Sequence, residues 1–211
     1  MSTPATPSPG KPRQRDAEAT REAILVSARR AFAQSGYDGA GVREIAAGAG
    51  VTAMMVNRYF GSKEQLFAEV VENTMTQGSL IAGGIMDQPE PGKALARALV
   101  KMTRADATPM DGFLITFHSA SSPLAAEIGR DKIAAHHLKR VAASLQGTLP
   151  AERAALILAM ISGFQVMRQM IALPALADAD EDELAELLGA VFERLIRWPA
   201  AEPKDQSTAV P

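Results

Sequence analysis

The chain has 211 residues, 47% hydrophobic and 22% charged, the balance of a soluble globular protein rather than a disordered or membrane-embedded one. It contains no cysteine, which excludes disulfides, thiolate metal sites and cysteine nucleophiles and fits a reducing compartment. The opening MSTPATPSPG lacks the apolar core of a secretion signal, and no later run is long enough for a membrane span, so the expectation is a cytoplasmic protein with no membrane partner.

Charge is unevenly placed. Residues 1–63 carry nine Lys or Arg against five acids, net +4, leaving −6 for the remainder of a chain whose total is −2. A basic head on an acidic body suits a head that binds a polyanion, and a solvated face would look the same. Lys11, Arg13 and Arg15 fall in a Pro/Ser/Thr-rich stretch. Residues 1–15 are therefore expected to form a disordered basic arm, either touching phosphates and the minor groove or serving as a plain tail. Residues 200–211 are expected to be a second disordered tail.

Between the tails the apolar residues recur at spacings of three and four, and alternating β-branched runs are missing, which predicts an all-α fold. The first helix is predicted from Asp16 to Ser35, with Ile24, Ala28, Ala31 and Phe32 as its inward stripe and Gly36 as its stop. A short second helix carries Val42, Ile45, Ala46 and Ala49 on one face and ends at Gly50, a position suited to positive φ. Thr52 is the expected N-cap of a third helix, which turns Val56, Tyr59 and Phe60 inward and Ala53, Met54, Asn57 and Arg58 outward. Ser62 and Gln65 form a capping box for a fourth helix reaching to about residue 78. Further helices are predicted over 92–106, 110–120, 123–146, 151–173 and 181–198. The division this suggests is a helical head over 16–78, whose first three helices form a candidate helix-turn-helix unit, and a larger helical body over 79–199. Two short helices joined by a glycine turn behind a longer one can place a recognition helix in a major groove, and the same pair also occurs as plain packing.

The segment Gly36–Val70, GYDGAGVREIAAGAGVTAMMVNRYFGSKEQLFAEV, resembles the signature of the TetR family of bacterial transcription regulators. Gly36-Tyr37, Val42-Arg43-Glu44-Ile45-Ala46, Ala49-Gly50-Val51, Tyr59-Phe60 and Gly61-Ser62-Lys63-Glu64 fall in the family's order and spacing. The resemblance covers about residues 17–77. It implies a helix-turn-helix regulator, a repressor by default, that binds double-stranded operator DNA as a homodimer and answers to a small-molecule effector. Matching positions imply Arg43 as a contact to phosphate or a guanine edge, with a solvated arginine as the alternative. Thr52 is either a phosphate contact or a cap alone. Ala53, Met54, Asn57 and Arg58 face base edges and methyl groups. Tyr59 stands where the family often has histidine, and Lys63 resembles its phosphate-contacting lysine. Two departures bear on readout. Gly41 replaces the usual hydroxyl cap of the second helix and Asn57 a frequent tyrosine, so the operator cannot be borrowed from relatives.

The resemblance also implies that the last two long helices, rich in Leu, Ile, Met and Ala, pair across a two-fold axis. An effector cavity would lie between the middle helices, where Phe113, Phe117, His118, Phe164, Met167 and Arg168 are either lining or ordinary core, with Arg168 alternatively in a salt bridge at the dimer interface. The rival readings are a helical ligand-binding or scaffold protein with weakened DNA binding, and an enzyme. For the enzyme there are three histidines, of which His136 and His137 are adjacent and face apart on a helix, and no phosphate loop or nucleophile elbow. No catalytic residue, metal site or cofactor is expected.

Overall fold

The structure, a computed structural model, describes residues 11–76, 84–104 and 111–198. Among these every regular element is helical: α1 (Lys11–Gly39), α2 (Val42–Gly48), α3 (Ala53–Phe60), α4 (Lys63–Thr76), a 3-10 turn (Ile85–Asp87), α5 (Pro91–Met102), α6 (Asp111–His118), α7 (Pro123–Ile133), α8 (Lys139–Ser144), α9 (Pro150–Gln165), α10 (Pro174–Ala177) and α11 (Glu181–Ile196). Two stretches are wound as π-helix: Ala134–Leu138 joins α7 to α8, and Val166–Met170 prolongs α9. That prolongation stops before the expected residue 173, because Pro174 disfavours helical backbone at the residue ahead of it and starts α10 instead. None of the helices is long and apolar enough to cross a membrane.

The N-terminal arm divides between what is described and what is not. Lys11, Arg13 and Arg15 belong to the first turns of α1, while residues 1–10 and the C-terminal tail from 199 lie outside the described residues.

The chain divides into two compact units, whose described residues are 11–74 and 111–131 in one and 75–76, 84–104 and 132–198 in the other. Helix α6 and most of α7 belong with the first unit. That unit's core comprises Ile24, Ala28 and Phe32 of α1, Ile45 and Ala46 of α2, Val56 and Phe60 of α3, and Leu66, Phe67 and Val70 of α4, all buried. Phe67 meets both Phe32 and Tyr37 edge-on, with ring centroids 5.0 Å apart in each pair. Each such large side chain removed from water contributes roughly 1.5–3 kcal/mol.

Helix α1 does not stop at Ser35. It kinks at Gly36, whose φ of 66° and ψ of −176° lie in a region that only glycine occupies freely, and then winds on to Gly39. The end of α6 sits in that kink. The His118 carbonyl oxygen is 2.4 Å from where a Gly36 Cβ would stand. In an unbroken helix the Ala33 carbonyl would accept from the Tyr37 N–H. Here His118 Nδ1 donates to the Ala33 carbonyl at 2.7 Å, and the Tyr37 N–H donates to Ser119 Oγ at 2.9 Å. Ser122 Oγ adds a hydrogen bond to Asp38 Oδ1 at 3.2 Å.

The second unit is built on Leu95 and Leu99 of α5, Val141 of α8, Ile157 and Ile161 of α9, and Phe192 of α11. A smaller cluster joins Val100 to Leu184 and Ala185, with Phe164 and Leu176 packed on it. Helices α5 and α11 approach closely, the Gly92 N–H donating to Glu193 Oε2 at 2.8 Å. Asp180 caps α11 by accepting from the N–H groups of Asp182 and Glu183, both at 3.0 Å. With Glu181, Asp182 and Glu183 in its first turn and Arg194 in its last, this helix carries charges that complement its dipole.

Candidate nucleic-acid interface

Local chemistry shapes the turn between α2 and α3. Gly50 takes φ 67°, and the Val51 N–H closes back on the Ala46 carbonyl at 2.9 Å. Thr52 caps α3, its Oγ1 accepting from the Met55 N–H at 3.4 Å. At the start of α2 the Gly41 N–H donates to Glu44 Oε2 at 3.4 Å, which is the half of a capping box that needs no side chain on the cap residue.

On α3 Val56 and Phe60 are buried and Tyr59 is half-buried, while Met54, Asn57 and Arg58 are exposed and Ala53 is half-exposed. Met54 is 81% exposed. The helix contains no acid, and Arg58 lies in its last turn, where a cation also complements the dipole. Arg43 is exposed on α2. Lys63 opens α4, and its Nζ lies 4.6 Å from the centroid of the Tyr37 ring. Burial, and after it the nearby Glu64 and Asp38 carboxylates, push the Tyr37 phenol above its ordinary value of 10.0.

Sequence reasoning passed over the residues that set the angle of α3. Arg21 of α1 lies 4.9 Å above the Phe60 ring and is ion-paired to Glu69 of α4, so one side chain ties three helices together. Its position was the available signal: Arg21 precedes Ile24 by three residues and extends the inward stripe, where a long side chain can bury its stem and keep its charge outside. Ser27 Oγ donates to the Ile45 carbonyl at 2.8 Å, fastening α2 to α1.

The six effector-pocket candidates divide between the two units. Phe113 and Phe117 stack on α6 with centroids 5.6 Å apart, Phe117 being exposed, and His118 is held by its bond to Ala33. In the other unit Phe164 packs on both apolar clusters, and Met167 is partly exposed. Arg168 is buried, its Nη1 donating to the Val100 carbonyl at 2.6 Å and to Thr103 Oγ1 at 3.1 Å and its Nε to the Leu176 carbonyl at 3.1 Å, with Glu181 3.6 Å from Nη2. His136 and His137 lie in the first π-helical stretch, and burial lowers His137. Among the described residues no group of His, Asp and Glu is arranged to hold a metal ion.

Two family models match the chain, "Bacterial regulatory proteins, tetR family" over residues 24–70 and "Tetracyclin repressor-like, C-terminal domain" over residues 90–196. The chain is 34% identical over 80 residues to the HTH-type transcriptional repressor AcnR of Corynebacterium efficiens, a match covering 34% of this chain and 43% of that one. It is 32% identical over 84 residues to the HTH-type transcriptional repressor NicS of Pseudomonas putida, covering 39% of this chain and 40% of that one. The matches thus span less than half the length of these relatives. A TetR-family regulator from Streptomyces coelicolor A3 is similar in structure with a TM-score of 0.51 at 25% identity, over 91% of this chain and 99% of that one. The multidrug binding protein EbrR in complex with malachite green shares the fold with a TM-score of 0.61 at 18% identity, over 83% of this chain and 97% of that one. The chain belongs to the TetR family of bacterial regulatory proteins.

Proposed function

We propose that the protein is a sequence-specific DNA-binding transcriptional regulator, a cytoplasmic homodimer that represses a promoter and releases it when a small, mostly apolar effector binds. The observation that carries this reading is the exposed face of α3, where Met54, Asn57 and Arg58 project on an acid-free helix between the cations Arg43 and Lys63. Arg43 and Lys63 supply the phosphate attraction that holds a head on any duplex, and the α3 face supplies the sequence reading.

Dimerisation follows from apolar surface on the second unit. Leu156 is 53% exposed on α9, and Leu187 and Val191, one turn apart on α11, are 71% and 48% exposed. Large apolar side chains left exposed on two helices of one unit suit an association surface. A two-fold dimer would also present two heads to paired half-sites. The effector reading draws on Phe164 and Met167 of the second unit, an aromatic ring and a side chain that adapts to varied apolar ligands. The similar fold of EbrR, crystallised with malachite green, supports an aromatic ligand class. Arg168 serves this unit as a staple, since its partners are backbone and side chains of the same unit. A coupling of about 1–3 kcal/mol between effector and operator is enough for a useful switch.

The test is selection of bound sequences from a random DNA pool with the purified chain, followed by binding to the intergenic DNA upstream of its own gene. A recurrent two-fold motif that also occurs in that DNA is the expected result. Absence of any shift at low salt with intact protein would overturn the reading.

A further inference from the structure

Within the reading of α3 as a DNA-reading helix, on which this inference rests, we infer that Met54 reads the 5-methyl group of a thymine. It therefore favours an A·T pair at one position of each operator half-site.

Single exposed apolar side chains are common and carry no message by themselves. Met54 differs by where it stands. It occupies the second position of α3 and is 81% exposed on the face that also presents Asn57 and Arg58, three and four residues on. Residues at these separations lie side by side on a helix surface. The helix holds no acid, and cations stand on α2 and α4, so the face suits a polyanion with an apolar point beside its polar edges.

The major groove displays one apolar group, the thymine methyl, and side chains that recognise it do so by apolar contact. Three apolar residues open α3, of which Ala53 and Met55 are only half-exposed, so Met54 is the exposed one and has the length to reach a groove floor. Its thioether is polarizable and unbranched, so it can settle on a methyl without fixed geometry. Asn57, roughly 5–6 Å along the same face, is suited to the N6 and N7 edge of adenine. The two side chains then address neighbouring base pairs, given a rise of roughly 3.4 Å per pair. The ligand chemistry of the head is accordingly a thymine methyl next to a purine edge, with Arg58 reaching a guanine or a phosphate.

The experiment uses the full chain and the operator recovered by selection, with each thymine replaced in turn by deoxyuridine, which removes the methyl and leaves base pairing intact. For the wild type, affinity is expected to fall about fivefold at one thymine position per half-site and to change little elsewhere. In Met54→Ala the same replacement should have no further effect, and in Met54→Leu, which keeps apolar bulk, the sensitivity should persist. Thermal melting by circular dichroism verifies that each variant is folded. The inference is overturned if no thymine is sensitive in the wild type, or if the same thymine is equally sensitive in Met54→Ala. Failure of the wild type to bind any duplex is a different result, because it removes the DNA-binding reading itself.

Discussion

The backbone N–H of Tyr37 donates to the hydroxyl of Ser119, 2.9 Å away in space and 82 residues away in sequence. This bond and the one from His118 to the Ala33 carbonyl take up two groups that a continuous α1 would have paired with each other. The kink at Gly36 therefore leaves no buried donor or acceptor without a partner at these positions, and it docks α6 on the unit that carries α2 and α3.

Gly36→Ala should be among the most damaging substitutions in that unit. It asks a Cβ-bearing residue to hold φ 66°, ψ −176°, at a cost of roughly 1–3 kcal/mol. It also places the new methyl 2.4 Å from the His118 carbonyl oxygen, which is backbone and cannot swing aside. A loss of more than about 3 kcal/mol is expected by denaturant unfolding, against about 1 kcal/mol for Ser119→Ala. Equal and small losses would show that the end of α6 does not depend on this seat.

Lys63 and Tyr37 form a second pair with consequences for DNA. The aromatic face beneath the ammonium holds Lys63 at the start of α4, and Lys63→Ala should weaken binding to specific and random duplexes alike. The slope of log affinity against log salt should fall by about 1. Asn57→Ala should instead reduce discrimination between operator and random DNA and leave the salt slope in place. Binding titrations at several salt concentrations separate the two. The phenol itself adds a pH dependence. Below the ordinary tyrosine value of 10.0 it is neutral in folded and unfolded chains alike, and its contribution is whole. Above that value the unfolded chain ionises while the folded phenol resists, so stability is lost as pH rises toward and through the raised folded value. Tyr37→Phe, which keeps the ring under Lys63, should lose less stability across this alkaline interval than the wild type, as measured by urea unfolding.

The helix-turn-helix was legible because its determinants are local. Thr52 caps three residues ahead of its partner, Gly50 supplies the turn, and the inward positions Val56 and Phe60 follow from a spacing of four. The seat of α6 was not legible, since Ala33, Tyr37 and Asp38 meet His118, Ser119 and Ser122 across more than 80 residues and no periodicity encodes such pairings. The same holds for the extension of α1 beyond Gly36. A glycine there reads as a stop, and only the incoming His118 carbonyl explains why the helix kinks and continues. Among the site residues, outward-facing Met54, Asn57 and Arg58 could be read from one helix, whereas the role of Arg21 depends on Phe60 and Glu69 from two other helices.

Arg168 is the residue on which the second unit should depend most. It brings a charge into the interior and satisfies it with the Val100 and Leu176 carbonyls, the Thr103 hydroxyl and the Glu181 carboxylate, closing the C-terminal end of α5 onto the start of α11. Arg168→Ala exposes these acceptors to an empty space and should cost roughly 3–5 kcal/mol. Arg168→Lys should rescue little, because a single ammonium cannot reproduce the planar fork. Glu181 is held below its usual carboxylate range by its hydrogen bond to Arg104, with the charge of Arg168 adding to it. Its contribution is present above the unfolded value and is lost as pH falls through the depressed folded one, so Glu181→Gln should flatten the acid limb of the stability profile.

The proposed dimer makes the sharpest demand on Leu187. At 71% exposure on α11 it is the most exposed large apolar side chain among the described residues of its unit, with Val191 one turn on, and in an isolated chain it contributes little to folding. Leu187→Glu should therefore leave the melting of the monomer fold nearly unchanged while placing a charge among the exposed apolar side chains of α11. In a two-fold arrangement each substitution counts twice, so like charges would oppose each other where the two copies meet. Sedimentation velocity should show dimers for the wild type and monomers for the variant at micromolar concentration. Affinity for a two-fold operator should fall by orders of magnitude, because the second head no longer binds at high effective concentration. Affinity for a single half-site should stay the same, and that contrast assigns the loss to assembly rather than to the reading helix. A variant that remains dimeric and binds normally would remove α11 from the interface.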